Sequence, residues 1–233
     1  MASGNVPIKG LIETSFIDWP GRMAAVLFTG GCNFRCPFCH NPDLVINSTN
    51  LATIPFRSVL KRLKARKDWV DRVVVTGGEP TIHARLPHMI EILNGAGFRV
   101  KLDTNGSHPD IVRSLVEEGL VDFVAMDVKG PLAVYKRFCG VDPDVIAIRK
   151  TISFLLEGKV PYLFRMTVVP VLHREEDVLV VAGSLRAAAR FVLQQFRPQN
   201  TLDPTFSATS PYTPEEMESL RRKVDSLMAI QKA

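Results

Sequence analysis

Residues 24–42 read "AAVLFTGGCNFRCPFCHNP", an apolar run that gives way to two glycines and then to three cysteines, Cys32, Cys36 and Cys39, the last followed by His40. The run 24–29 is almost continuously apolar, as expected of a strand covered on both faces. Positions 32, 36 and 39 are i, i+4 and i+7, a spacing that one helix face could carry. Pro37 argues against a helix, because its ring would clash with the preceding turn and its missing N–H would break the ladder. Gly30 and Gly31 favour a loop entry instead. The stretch is therefore a buried strand that hands three thiols to a loop at its C-terminal end.

The same pattern recurs downstream. The apolar runs 71–76, 98–103, 122–127, 162–169 and 191–196 alternate with stretches of helical periodicity. Phe56, Val59, Leu60 and Leu63 form one apolar stripe, Leu86, Met89, Ile90 and Leu93 a second, and Ile111, Leu115 and Val116 a third. Further helices are expected over 144–157 and 175–189. For the last helix, Thr213, Pro214 and Glu216 supply an N-cap, a first-turn proline and a capping-box acid, followed by Met217, Leu220, Val224 and Leu227. A loop rich in Pro, Ser and Thr precedes it.

Six strands alternating with helices predict an α/β fold with right-handed crossovers, either an open doubly wound sheet or a partial (β/α) barrel. Polar residues gather just after four successive strands: the cysteines, then "TGGEP" (76–80), "DTNG" (103–106) and "DVK" (127–129). Ligands sit at the C-terminal ends of parallel strands, and four such clusters fit the curved rim of a partial (β/α)6, TIM-like barrel better than one switch-point crevice. The expected organisation is a single domain over 1–233, with a lead-in over 1–23, the barrel over 24–197, and a loop and C-terminal helix over 198–233.

Composition narrows the class. With 46% hydrophobic residues in 233, the chain can bury a sizeable core. No apolar run approaches the ~20 residues of a membrane span, and the first residues lack a basic segment followed by a long apolar one, so no membrane partner and a cytoplasmic location are expected. A net charge of +5 suits an acidic protein partner or a nucleic acid without demanding either, and no motif here calls for a nucleic acid. Three cysteines crowded into eight positions make a poor disulfide framework, which leaves metal binding or catalysis.

Several metal chemistries remain open at this point. A zinc site over Cys32, Cys36, Cys39 and His40 would have to converge adjacent side chains on one tetrahedral ion. "CPFCH" matches a covalent haem attachment pattern, but leaves Cys32 idle. An iron–sulfur cluster held by three thiolates keeps one iron open for a ligand, which gives the missing fourth cysteine a meaning. No second cysteine set exists, so a single cluster is expected; Cys139 stands alone and is expected to be a buried thiol.

The C-x3-C-x2-C spacing of Cys32, Cys36 and Cys39 resembles the signature of the radical S-adenosylmethionine superfamily. The stretch around "DWPGRMAAVLFTGGCNFRCPFCHNP", with "TGGEPTIH", "LDTNG" and "MDVKGP" following in order, is similar to the glycyl radical enzyme activases and, among them, to the anaerobic ribonucleoside-triphosphate reductase activating proteins. Trp19 stands where those activases commonly carry glycine. The resemblance covers residues 8 to about 200 and implies a radical SAM type of partial barrel with a [4Fe–4S] cluster on Cys32, Cys36 and Cys39. It implies S-adenosylmethionine chelated at the open iron, and reductive cleavage to methionine and a 5′-deoxyadenosyl radical that removes hydrogen from a backbone glycine of a partner enzyme. A flavodoxin or ferredoxin-type reductant is implied as well, which the basic run "RSVLKRLKARK" could dock if it is not simply a solvated helix face.

Cofactor contacts are expected from Phe38 and His40 in the cluster loop, and from Gly77, Gly78 and Glu79, whose backbone and charge could receive the cofactor's ammonium group. Asp127 and Lys129 point to one side and could hold ribose hydroxyls or the methionine carboxylate, or could simply pair with each other. Asp103 and Thr104 occupy the equivalent rim position, where a capping turn is an equally natural use. Arg165, a charge within an apolar strand, is expected to face the barrel interior and an anion. Asp18, Trp19 and Arg22 are candidates for the edge of a lateral opening that admits the partner's loop. His83, His88, His108 and His173 offer no paired spacing and are expected to be structural. Two rivals stand beside the activase reading: a radical enzyme of the same type acting on another glycyl radical enzyme, a small molecule, a tRNA or a peptide, and a non-enzymatic iron–sulfur electron carrier.

Overall fold

The computed structural model describes residues 6–229; the first five residues of the expected lead-in and the last four of the C-terminal segment lie outside the described residues. Its strands are β1 (Ile8–Trp19), β2 (Arg22–Thr29), β3 (Arg72–Gly77), β4 (Arg99–Thr104), β5 (Phe123–Asp127), β6 (Tyr162–Val168) and β7 (Phe191–Gln195). The helices are α1 (Pro42–Ile46), α2 (Phe56–Lys64), α3 (Leu86–Gly95), α4 (Pro109–Glu117), α5 (Lys136–Cys139), α6 (Val145–Leu156), α7 (Glu175–Ser184) and α8 (Pro214–Ala229).

All seven strands form one sheet in chain order. Strands β2 to β7 pair in parallel, as their apolar runs predict, and helices cover their outer face. The sheet curls into a half-barrel whose free edges are β1 and β7. Its outer face and the helices share one large core; a second apolar group, Trp19, Ala24, Val26 and Val74 with Phe28 and Phe123 against it, lies apart from that core. The strands alternate inside and outside. Val26, Val74 and Phe123 thus share the concave face with the polar residues at the strand ends.

The sequence pattern did not reveal β1. It pairs antiparallel to β2, from Ile8 opposite Thr29 to Trp19 opposite Arg22, with register shifts in between. A half-exposed edge strand with bulges breaks the two-residue apolar period by which a strand is read. The helix expected over 175–189 stops at Ser184: Ala188 and the residues beside it turn the chain into β7, with the Ala189 amide donating to the Tyr162 hydroxyl at 3.2 Å. Tertiary placement there outweighs the helix propensity of the alanines.

The capping box of α8 forms as its residues predict. The Glu216 amide donates to Thr213 Oγ1 at 3.2 Å, and the Thr213 amide donates to Glu216 Oε2 at 2.7 Å. Replacing Thr213 by alanine is expected to lower stability by about 1 kcal/mol, read as a shift of the urea midpoint without a change in slope.

Candidate active site

The cysteine loop begins where β2 ends, and the backbone of the next strand fixes its course. The Gly78 amide donates to Thr29 O at 2.9 Å, and the Glu79 amide to Gly31 O at 2.8 Å. A Cβ on Gly78 would lie 1.9 Å from Gly31 O, and Gly77, at φ +123°, would place one 2.3 Å from Thr29 N. The close approach that Gly77 and Gly78 permit is thus to the chain's own backbone, beside the cavity rather than across it. The Arg35 amide donates to Cys139 O at 2.8 Å, and the Cys39 amide to Cys36 O at 3.0 Å. Far downstream, the Leu202 and Asp203 amides donate to Cys39 O and Pro37 O at 3.1 and 2.9 Å. The Pro, Ser and Thr-rich loop is therefore a clasp on the cysteine loop.

Cys32, Cys36 and Cys39 line one cavity of about 390 Å³ together with Phe38, His40, Gly77, Gly78, Glu79, Asp103, Thr104, Asp127, Lys129 and Arg165. Asp18, on the edge strand, lines it too. Trp19 and Arg22 do not: Trp19 is buried against Phe123, with the Arg72 guanidinium over its ring, at the end of the strands opposite the cysteines, and Arg22 is exposed in the same turn. Their placement follows from the antiparallel pairing of β1, which puts the "DWPG" turn at the start of β2. Trp19 thus belongs to the barrel floor rather than to an edge.

Glu79 is 1% exposed and reaches the next loop. Its Oε1 accepts from the Thr81 amide at 3.1 Å, the Thr81 hydroxyl at 2.5 Å and the Thr104 hydroxyl at 2.8 Å, while Oε2 accepts the Asn105 amide at 2.6 Å. Burial pushes its carboxyl above the usual range, against the pull of these donors. Asn105 in turn donates to Asn33 Oδ1 at 2.9 Å, so the cysteine, "GGEP" and "DTNG" loops are stitched into one rim.

Below the rim the charged residues pair. Arg165 Nε donates to Asp127 Oδ1 at 2.7 Å and Nη1 to Asp103 Oδ2 at 3.1 Å, while Lys129 Nζ donates to Asp127 Oδ2 at 3.2 Å. The anion that Arg165 faces is a pair of the chain's own carboxylates. Burial would raise the Asp127 carboxyl, but Arg165 and Lys129 outweigh it and hold it far below the usual range. Asp103 also pairs with Lys101, a 1% exposed ammonium that the sequence reading missed. Its signal resembled that of Arg165, a basic residue set between two apolar neighbours in a strand, here Val100 and Leu102.

His173 is structural, as expected. It is fully buried, accepts the Val169 amide on Nδ1 at 3.0 Å, and donates from Nε2 to Lys129 O at 2.7 Å; its ring meets those of Phe138 and Phe38. His83 and His108 bond Gly30 O and Thr81, and Cys139 is buried as expected.

The thiols decide which metal chemistry fits. His40 is exposed, bonded to Gln199 O at 3.3 Å and stacked on Phe196, and among the described residues no three His, Cys, Asp or Glu side chains converge on one metal ion. Three thiols spread around one cavity suit a polynuclear cluster, in which each thiolate meets a different iron. Burial pushes Cys32 up to about 11 and Cys36 up to about 12, so iron must displace their protons.

A family model described as the Radical SAM superfamily matches residues 26–181. A Methanocaldococcus jannaschii protein named "Putative glycyl-radical enzyme activating enzyme" is 34% identical over 206 residues, 85% of this chain and 83% of that one. The 7-carboxy-7-deazaguanine synthase of Aquifex aeolicus is 30% identical over 127 residues, 54% of this chain and 53% of its own. The crystal structure of Streptococcus suis SuiB bound to precursor peptide SuiA superposes with a TM-score of 0.68 at 16% identity, covering 89% of this chain and 46% of that one, a likeness of fold alone.

Two predictions follow from the geometry. Gly78→Ala is expected to cost roughly 1–3 kcal/mol by forcing the two loops apart, and to lose most of the iron taken up on anaerobic reconstitution, measured per folded chain. His173 falls from 6.5 to about 4 through burial, so the protein holds it neutral. The stability this gives is complete above pH 6.5 and is lost as pH falls through about 4. Between those limits the unfolding free energy of the unchanged protein should fall by roughly 3 kcal/mol more than that of His173→Asn, followed by urea titration.

Proposed function

Because the chain belongs to the Radical SAM superfamily, we propose that it is an activating enzyme that removes a hydrogen atom from a backbone glycine of a partner enzyme, anaerobic ribonucleoside-triphosphate reductase being the partner its motifs favour. The superfamily's cofactors are a [4Fe–4S] cluster and S-adenosylmethionine, and Cys32, Cys36 and Cys39 are the thiolates to hold the cluster. When bound, these cofactors supply one-electron reductive cleavage of a sulfonium–carbon bond, which yields a primary carbon radical.

The rest is the chain's own work. The Gly77 and Gly78 backbone lines the cavity at the rim and offers carbonyl acceptors for an ammonium group, while the buried Glu79 carboxylate is engaged by Thr81, Thr104 and Asn105. Lys129, its ammonium held by Asp127, suits a carboxylate. Phe34 and Phe38, each 3% exposed, present apolar rings to the cavity beside the cysteines. The observation that carries the reading is the open side: β1 and β7 are not paired with each other, and Asp18 lines the cavity from the β1 edge, so a polypeptide loop has a way in. A flavodoxin or ferredoxin-type donor remains the proposed reductant. The basic residues Lys64, Arg66 and Lys67 lie where α2 leads towards the start of β3, away from the cysteines, which suits a solvated face better than electron delivery.

The test is anaerobic electron paramagnetic resonance of the reduced, reconstituted protein with and without S-adenosylmethionine, assaying 5′-deoxyadenosine, and then with the reductase added. A cluster spectrum that changes on adding the cofactor, 5′-deoxyadenosine, and a glycyl doublet on the reductase are expected. 5′-Deoxyadenosine without any radical on a glycyl radical enzyme would move the substrate to a small molecule, for which the deazaguanine synthase likeness speaks. A spectrum indifferent to the cofactor would leave an electron carrier.

A further inference from the structure

Lys101 is among the largest fully buried side chains of the described residues, and it does not line the cavity. It sits two residues from Asp103 on β4, so both face the barrel interior, where the register also sets Asp127 beside Arg165. Together with Lys129 these residues form a ladder of alternating charge. Asp103 gives Oδ1 to Lys101 and Oδ2 to Arg165, and Asp127 gives Oδ1 to Arg165 and Oδ2 to Lys129. Each carboxylate is thus shared between two cations, one oxygen apiece. Three cations and two anions leave the ladder with one excess positive charge. Its inner end is sealed, since the Lys101 side chain is 1% exposed, and its outer end opens beside the thiols, where the Lys129 side chain is 17% exposed.

We propose that Lys101 is a positioning residue of the cofactor site: from the sealed end it fixes, through Asp103, Arg165 and Asp127, where the Lys129 ammonium sits beside the cysteines. The physical reason is competition. Without Lys101, Asp103 has Arg165 as its only cation and draws the guanidinium to itself. Asp127 is then left to Lys129 and pulls that ammonium down, away from the cavity mouth. No contact between Lys101 and Lys129 is needed, because the ions between them are shared. The inference rests on the reading of the cavity as a cluster and S-adenosylmethionine site.

A double-mutant cycle on the full, reconstituted chain tests it, with the unchanged protein, Lys101→Met, Lys129→Gln and the double variant. Two quantities are read in each: the cluster midpoint potential, from a redox titration followed by electron paramagnetic resonance, and the S-adenosylmethionine Kd, from the cofactor-dependent change in the same spectrum. With Lys129 present, Lys101→Met should weaken cofactor binding about tenfold and lower the potential; with Lys129→Gln the weakening should fall to about twofold or less, and the potential shift should shrink. Equal effects in both backgrounds, or none in either, overturn the proposal, because a merely structural lysine adds independently. If Lys101→Met takes up no iron, Lys101→Gln replaces it in the cycle under the same criteria. If the unchanged protein ignores S-adenosylmethionine, it is the cofactor reading that fails, and the potentials alone decide the ladder.

Discussion

The amides of Gly78 and Glu79 donate to the carbonyls of Thr29 and Gly31, at an approach that only bare backbone can make. This stitch joins the ends of β2 and β3 beyond the point where ordinary parallel pairing stops. Everything at the rim hangs from it. It sets the course of the cysteine loop, and it aims Glu79 across to Thr104 and Asn105, which brings the end of β4 into the same structure. A loop carrying three thiols gains little from its own hydrogen bonds. Neighbours that are already rigid must hold it, and the two glycines make that contact possible.

Beneath the rim, the protein accepts a cost that small domains usually avoid. Removing one partner of a buried ion pair costs roughly 3–5 kcal/mol, whereas replacing the whole set by apolar residues is often neutral. A row of five interior charges is therefore poor evidence for stability and better evidence for a place where charge must be held still. The neutral, doubly bonded His173 works to the same end, since it fixes the backbone carbonyl of Lys129 from the outer shell while Asp127 fixes the side chain.

Much of the fold was legible because parallel strands buried on both faces leave apolar runs, and because polar residues collect where such strands end. The strand β1 was hidden by its bulges and its half-exposed position, and with it the place of Trp19, whose neighbours in sequence suggested a rim and whose pairing with Arg22 puts it at the floor. The cysteines were legible from spacing and from Pro37. The roles of Gly77, Gly78 and Arg165 were visible only as residue types, because what they touch is other parts of the chain: a glycine placed against backbone and a glycine placed against a ligand look alike in sequence. Lys101 was passed over for a related reason, whereas His173 was read as structural from its lack of a paired spacing. Lys101 stands in no motif, and its importance comes from the chain of ions that begins at Asp103 on its own strand and runs on to Arg165 and Asp127.

The clasp on the cysteine loop ties chain positions that are far apart. Leu202 and Asp203 supply the amides that hold Cys39 and Pro37, and Phe196 carries the ring of His40. During synthesis the cysteines leave the ribosome early, while those residues follow only after all seven strands have been made. Until then the loop can be held at its start by the Gly78 and Glu79 amides, but its far end, at Pro37 and Cys39, has no clasp. Contacts of such long sequence separation form late in folding as well. Iron delivered to the completed chain meets a loop held at both ends, and iron delivered earlier meets one held at its start alone.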